Sequence, residues 1–134
     1  MIFTEFTLSV GLQAEKTDVV HEDNTAIYYG SGTLPVYATP AMAALMEGAA
    51  AAAVQAELPD GLTTVGISLN IQHIAASPIG LRINATAELV KVAGRKLTFK
   101  LTAYDEEEKI GEGIHERFVI DSAKFLNKAK AKKA

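Results

Sequence analysis

The 134-residue chain has no cysteine, which removes disulfides, thiolate metal sites and a cysteine nucleophile, and fits a reducing compartment. It also lacks the ~20 strongly apolar residues that a membrane-spanning helix requires. Its longest nearly uncharged stretch, Pro40 to Ala56, is mostly alanine and is interrupted by Glu47 and Gly48. The start, Met-Ile-Phe-Thr-Glu-Phe, has no basic segment leading into an apolar one, so no signal peptide and a cytoplasmic location are expected. Positive charge is scarce. The formal net charge is -3, although Lys124, Lys128, Lys130, Lys132 and Lys133 crowd the C-terminal end; the remainder is therefore more acidic still, which argues against general nucleic-acid binding. His21, His73 and His115 share no metal-ligand spacing, and no metal is expected.

What is present is one charge in an apolar setting. Glu47 is the sole charged residue of the run from Pro40 to Ala56, and an ionised carboxylate on a buried helix costs several kcal/mol unless it is paired. Thr39-Pro40 marks the helix start, with threonine as a cap and proline where a missing N–H loses no bond. Pro59-Asp-Gly61 stops the helix, predicted to run to about Leu58. Ala43, Ala44, Ala50 and Ala51 flank the carboxylate at three- and four-residue spacing.

Phe3 to Leu12 alternates, with Phe6, Leu8, Val10 and Leu12 on one face, and reads as a first strand. Gln13 to Ala38 is irregular, and Gly30-Ser-Gly32 followed by Pro35 marks a loop able to act as a lid. After the helix come strands over Thr64–Ile74, Leu81–Val92, Lys96–Tyr104 and Ile110–Ile120, the last three joined by turns at Val92–Lys96 and Asp105–Lys109. Leu81, Ile83, Ala85, Ala87 and Leu89 share one face, as do Leu97, Phe99, Leu101 and Ala103. Gly111 and Gly113 would admit a neighbouring backbone. With no internal repeat, this is an α+β domain over residues 1–121, a curved antiparallel sheet wrapped around one long helix, followed by a basic tail over 122–134 that reads as a fraying helix.

Period two places Val65, Ile67, Leu69, Ile71 and His73 on one inward face. An inward histidine opposite the helix that carries Glu47 makes a base and an acid plausible neighbours, either as an ion pair that satisfies itself or as a reactive pair. Thr39, read as the cap, lies eight residues from Glu47, about 12 Å along the axis; the two can cooperate only through a bent approach or a second copy of the protein. Arg117, opposite in parity to Ile114, Phe118 and Ile120, reads as solvent-facing. Arg82, Lys91, Arg95, Lys96 and Lys100 form a basic set around a hairpin, suited to phosphates if they converge.

Three segments together closely resemble the fluoroacetyl-CoA thioesterase-like family of hotdog-fold proteins: Thr39-Pro-Ala-Met-Ala-Ala-Leu-Met-Glu47, Gln72-His-Ile-Ala-Ala-Ser-Pro-Ile-Gly80 and His115-Glu-Arg-Phe-Val-Ile120. The resemblance implies a hotdog fold and hydrolysis of a small acyl thioester, with coenzyme A as part of the substrate and no other cofactor. It places catalytic roles on Thr39, Glu47 and His73 and substrate contacts on Gly66 and Arg117, and it implies a homodimer with sites at or near the subunit interface. Since parity sets Gly66 opposite His73, a bulge or a backbone role is needed for both to serve one site. The fluoroacetyl-selective member has aromatic residues in its lid, where this chain reads Tyr29-Gly-Ser-Gly-Thr-Leu-Pro35, so the acyl group is left open. The thioester needs little acid help at departure, because a thiol of pKa ~8.5 leaves readily; threonine, water or glutamate could attack. The rival readings are a non-catalytic acyl-CoA binding module and a hotdog hydratase or dehydratase, though no aspartate–histidine pairing of the latter kind is evident.

Overall fold

In a computed structural model, residues 3–133 are described; Met1, Ile2 and Ala134 at the chain ends lie outside them. The order is β1 (Gln13–Val19), a 3-10 turn, α1 (Ala26–Tyr29), α2 (Thr39–Gln55), β2 (Leu62–His73), β3 (Arg82–Ala93), β4 (Lys96–Tyr104), β5 (Lys109–Asp121) and α3 (Ser122–Lys130). The five strands form one sheet in the order β1-β3-β4-β5-β2, antiparallel throughout. This is the expected hotdog arrangement. Strands β2 to β5 fall within two residues of their sequence-predicted limits because alternation and turn chemistry agree there.

The inner face of β3 and β4 is apolar and dry. Ile83, Ala85, Ala87, Leu89, Leu97, Phe99, Leu101 and Ala103 are all fully buried, as are Met42, Met46, Ala49, Ala50 and Val54 of α2. Methyl side chains on both layers let the helix settle close to the sheet, so packing density is reached with few large residues. The helix lies mainly over β1 and β3. The inner surface of β2 and β5 is less covered by it, and there the inward positions turn polar: Thr64, His115 and Arg117.

Three expectations about elements need correction. Phe3–Leu12 is not a strand; Gly11, at φ 104°, turns the chain into β1, and its N–H donates to the Leu89 carbonyl at 2.8 Å. Phe3, Phe6 and Leu12 pack against the core around buried Leu8, so the alternation came from an irregular segment laid on the core. Thr39 is not the helix cap. Ala38 is, without a side-chain bond, and Thr39 is already helical. The helix also stops at Gln55 rather than near Leu58, because the Gln55 amide donates to the Leu62 carbonyl at 3.0 Å and accepts from the Thr63 hydroxyl at 2.7 Å, tying the helix end to β2.

A bulge in β2 decides what faces the helix. Gly66 pairs with Arg117 and Ser68 with Glu116, leaving Ile67 as the extra residue. The insertion reverses parity, so Leu62, Thr64 and Gly66 share the inner side with Leu69, Ile71 and His73, while Ile67 is 51% exposed. The expected continuous face from Val65 to His73 is thus broken in the middle. Beyond the bulge, a Cβ at Gly113 would collide with the Asn70 carbonyl and Ile71, the close backbone approach foreseen for that position.

Candidate functional site

The sequence-nominated residues form two clusters along α2 rather than one. In the first, at the helix start, the Thr39 hydroxyl meets His73 Nδ1 at 2.8 Å. Because Ala38 takes the capping position, the threonine side chain is free to turn to the end of β2. Both residues line a cleft of about 340 Å³ with Ala26, Val36, Tyr37 and Ala75. Burial pushes the His73 pKa below its ordinary 6.5, favouring a neutral ring. Its Nε2 is buried without a hydrogen-bond partner, an uncommon state for a polar atom away from water. The cleft wall is held from behind: Tyr37, 1% exposed, donates to Asp18 at 3.0 Å, and the Ser77 hydroxyl donates to Asp105 at 2.7 Å.

The second cluster lies two turns further along α2, at the bulge. A side chain on Gly66 would bring its Cβ 3.0 Å from Glu47 Oε2, 3.1 Å from His115 Cε1 and 3.4 Å from Arg117 Nη1. Gly66 itself is open to solvent, so its missing side chain leaves a depression floored by backbone and walled by a carboxylate, an imidazole and a guanidinium. Arg117 donates through Nε to the Thr64 hydroxyl at 2.8 Å and through Nη2 to the Thr64 carbonyl at 2.9 Å, and its Nη1 lies 3.1 Å from His115 Nε2. Burial lowers its pKa while Glu47 opposes the shift; it stays a cation.

Two readings of single residues change accordingly. Arg117 does not face solvent; it is 8% exposed, because β5 presents His115, Arg117 and Val119 inward and Ile114 outward. Nor does His73 answer Glu47 within the chain: His73 pairs with Thr39, whereas Glu47 stands half-buried beside His115 and Arg117, with no ion pair among the described residues. Sequence reasoning passed over His115 and Thr64. The available signal was parity, since both share a face with Arg117 once the bulge is placed. Among the described residues no group of three or more candidate ligands is arranged to hold a metal ion, and no helix is long and apolar enough to cross a membrane.

Residues 20–123 match the family described as fluoroacetyl-CoA-specific thioesterase. The chain belongs to that family. It is 41% identical over 97 residues to the fluoroacetyl-CoA thioesterase of Streptantibioticus cattleyicolor, spanning 72% of this chain and 70% of that one. A solved structure of the fluoroacetyl-CoA thioesterase FlK superposes with a TM-score of 0.87 at 35% identity, covering 94% of this chain and 98% of that one. A hypothetical protein from Thermus thermophilus, described as a thioesterase superfamily member, gives a TM-score of 0.87 at 26% identity over 95% and 94% of the two chains. The five nominated positions fall into the two clusters, Thr39 and His73 in one, Glu47, Gly66 and Arg117 in the other.

Proposed function

We propose that the protein is an acyl-CoA thioesterase whose site is assembled from two copies of the chain, the first cluster of one facing the second cluster of the other. Supporting this is the orphaned Nε2 of His73. If Nδ1 accepts from Thr39, then Nε2 carries the proton and requires an acceptor that the described residues of its own chain do not supply. Glu47 of a second copy is that acceptor, admitted when the contact between the two copies displaces the side chains that cover the ring nitrogen. Strand β2 offers the contact: it is a sheet edge of 12 residues, and such an edge presents unpaired N–H and C=O groups to another strand. Ile67 and Leu69 lie exposed along it.

In the reaction, His73 takes the Thr39 hydroxyl proton as the oxygen attacks the thioester carbonyl, and backbone N–H groups at the start of α2 receive the oxyanion. The C–S bond breaks and the coenzyme A thiolate takes the proton from His73; the neutral ring then accepts a proton from the water that attacks the acyl-threonine and returns it to the Thr39 oxygen, regenerating the hydroxyl. Burial of His73 suits this, since a neutral imidazole is the form that accepts a proton. Glu47 holds the ring, and Gly66 with Arg117 receives the acyl end. No cofactor is called on beyond the coenzyme A of the substrate. Its phosphates fall to Arg95, Lys124 and Lys128, which line one cleft at the Asp121 end of the sheet; antiparallel pairing of two β2 edges would bring that end beside the partner's His73. A homodimeric cytoplasmic enzyme, with residues 1–121 as the domain and 122–134 as an appended tail, completes the reading.

A thiol-release assay over short, long, branched and aromatic acyl-CoAs, repeated with N-acetylcysteamine thioesters, tests it. At least one acyl-CoA is expected to be turned over well, with a higher KM for its truncated analogue. Thr39→Ala and His73→Ala should each lose about 10²- to 10⁴-fold in kcat, the scale of a lost nucleophile or base. Binding without thiol release from any substrate would instead identify an acyl-CoA binding module.

A further inference from the structure

Beside the bulge, His115 is fully buried on β5 and belongs to neither the nucleophile nor its base. Its two ring nitrogens have partners of fixed polarity. Nδ1 lies 2.8 Å from the Ser68 carbonyl, which can only accept; Nε2 lies 3.1 Å from Arg117 Nη1, which can only donate. The ring is therefore the neutral Nδ1–H tautomer, with the Nε2 lone pair directed at the guanidinium. Thr64 takes two further N–H groups of Arg117 through its hydroxyl and carbonyl. With three of the five arginine N–H groups so engaged, two remain, and Nη1 borders the depression over Gly66.

We propose that His115 is a positioning residue: as a neutral acceptor it locks the rotation of the Arg117 guanidinium, together with Thr64, so that the free N–H groups meet the acyl end of the substrate over Gly66. The bulge takes part, because leaving Ile67 out of register is what brings the Ser68 carbonyl to Nδ1. An arginine held on three sides keeps its alignment without help from Glu47, which leaves that carboxylate available to His73 of a second copy. Phe99, its ring centroid 6.3 Å from that of His115, closes the remaining side with apolar surface. This inference rests on the thioesterase reading for its kinetic readout but not for its structural one.

A double-mutant cycle with the best acyl-CoA of the panel tests it. His115→Phe keeps the ring volume and removes both hydrogen bonds, and is expected to lower kcat/KM by about 10- to 100-fold, as loss of an orienting partner does elsewhere. His115→Gln, an amide that both donates and accepts, is expected to recover most of that loss. In the Arg117→Ala background, His115→Phe should cost nothing more. Additive losses in the cycle, or no loss in His115→Phe, would overturn the proposal, whereas absence of activity in the wild type would overturn the thioesterase reading alone. Independently of turnover, ring 15N shifts of the wild-type protein at neutral pH should report a neutral His115 protonated on Nδ1, and Arg117→Ala should move the Nε2 resonance; a charged ring or the Nε2–H tautomer contradicts the proposal even if His115→Phe fails to fold.

Discussion

Two histidines are kept neutral by burial, and this has a consequence for pH. For both His73 and His115 burial pushes the pKa below the ordinary 6.5; for His115 the Arg117 charge pushes the same way, while the Ser68 carbonyl and Glu47 oppose it. The unfolded chain therefore binds more protons than the folded one as pH falls from about 6.5 toward the folded values, so stability declines through that window and is fully present above it. Urea midpoints are expected to drop between pH 7.5 and 5.5, with a smaller drop in His115→Gln; a midpoint that rose on acidification would contradict the burial of these rings. Turnover should show an acid limb below 6.5 for the same reason, since protonated His73 cannot accept from Thr39. At this scale the sequence was partly legible. Glu47 and His73 stood out because a charge in an alanine run and a histidine after an alternating apolar strand are each anomalous. Arg117 was misjudged because the apolar residues of opposite parity, Ile114, Phe118 and Ile120, resembled a core face more closely than His115, Arg117 and Val119.

Among the elements, β2 carries the most consequence. Without the bulge, Gly66 and His73 would lie on opposite faces and the two clusters would not share the inner side of the sheet. Deleting Ile67 is expected to bring β2 into unbroken register with β5 while Thr64, Gly66, Leu69 and His73 stay on the inner side, so what is lost is the local bend that sets the Ser68 carbonyl against His115. Activity should fall by about 10- to 100-fold, as for loss of the His115 contact, and the thermal midpoint should drop, measured by thiol release and circular dichroism; a deletion variant with near wild-type turnover would show that the bulge has no part in the site. The need for such a bulge was already implied by the resemblance, which asked one site to hold residues of opposite parity. Its position was not legible, since no proline or glycine marks Ile67 itself. The N-terminal alternation misled for the complementary reason: Phe6, Leu8 and Leu12 follow period two, yet periodicity records burial of alternate residues and not the hydrogen bonds that make a strand.

For the whole molecule, the fold followed readily from pattern because β3 and β4 each have one dry face and the helix is apolar almost throughout. The site did not, because its two halves lie about 12 Å apart along one helix, and nothing among the described residues brings Thr39 to Glu47 within one chain. The proposed second copy would account together for the free β2 edge, the His73 Nε2 without a partner among the described residues and the solvent-open Gly66. Subunit complementation tests this most directly. Thr39→Ala and Glu47→Gln, each nearly inactive alone, are co-refolded in equal amounts. Random pairing makes half of the dimers mixed, each with one intact composite site of two, so about a quarter of the wild-type rate is expected. A mixture no more active than its separate components, from dimers shown to have exchanged subunits, would contradict a site shared between two chains.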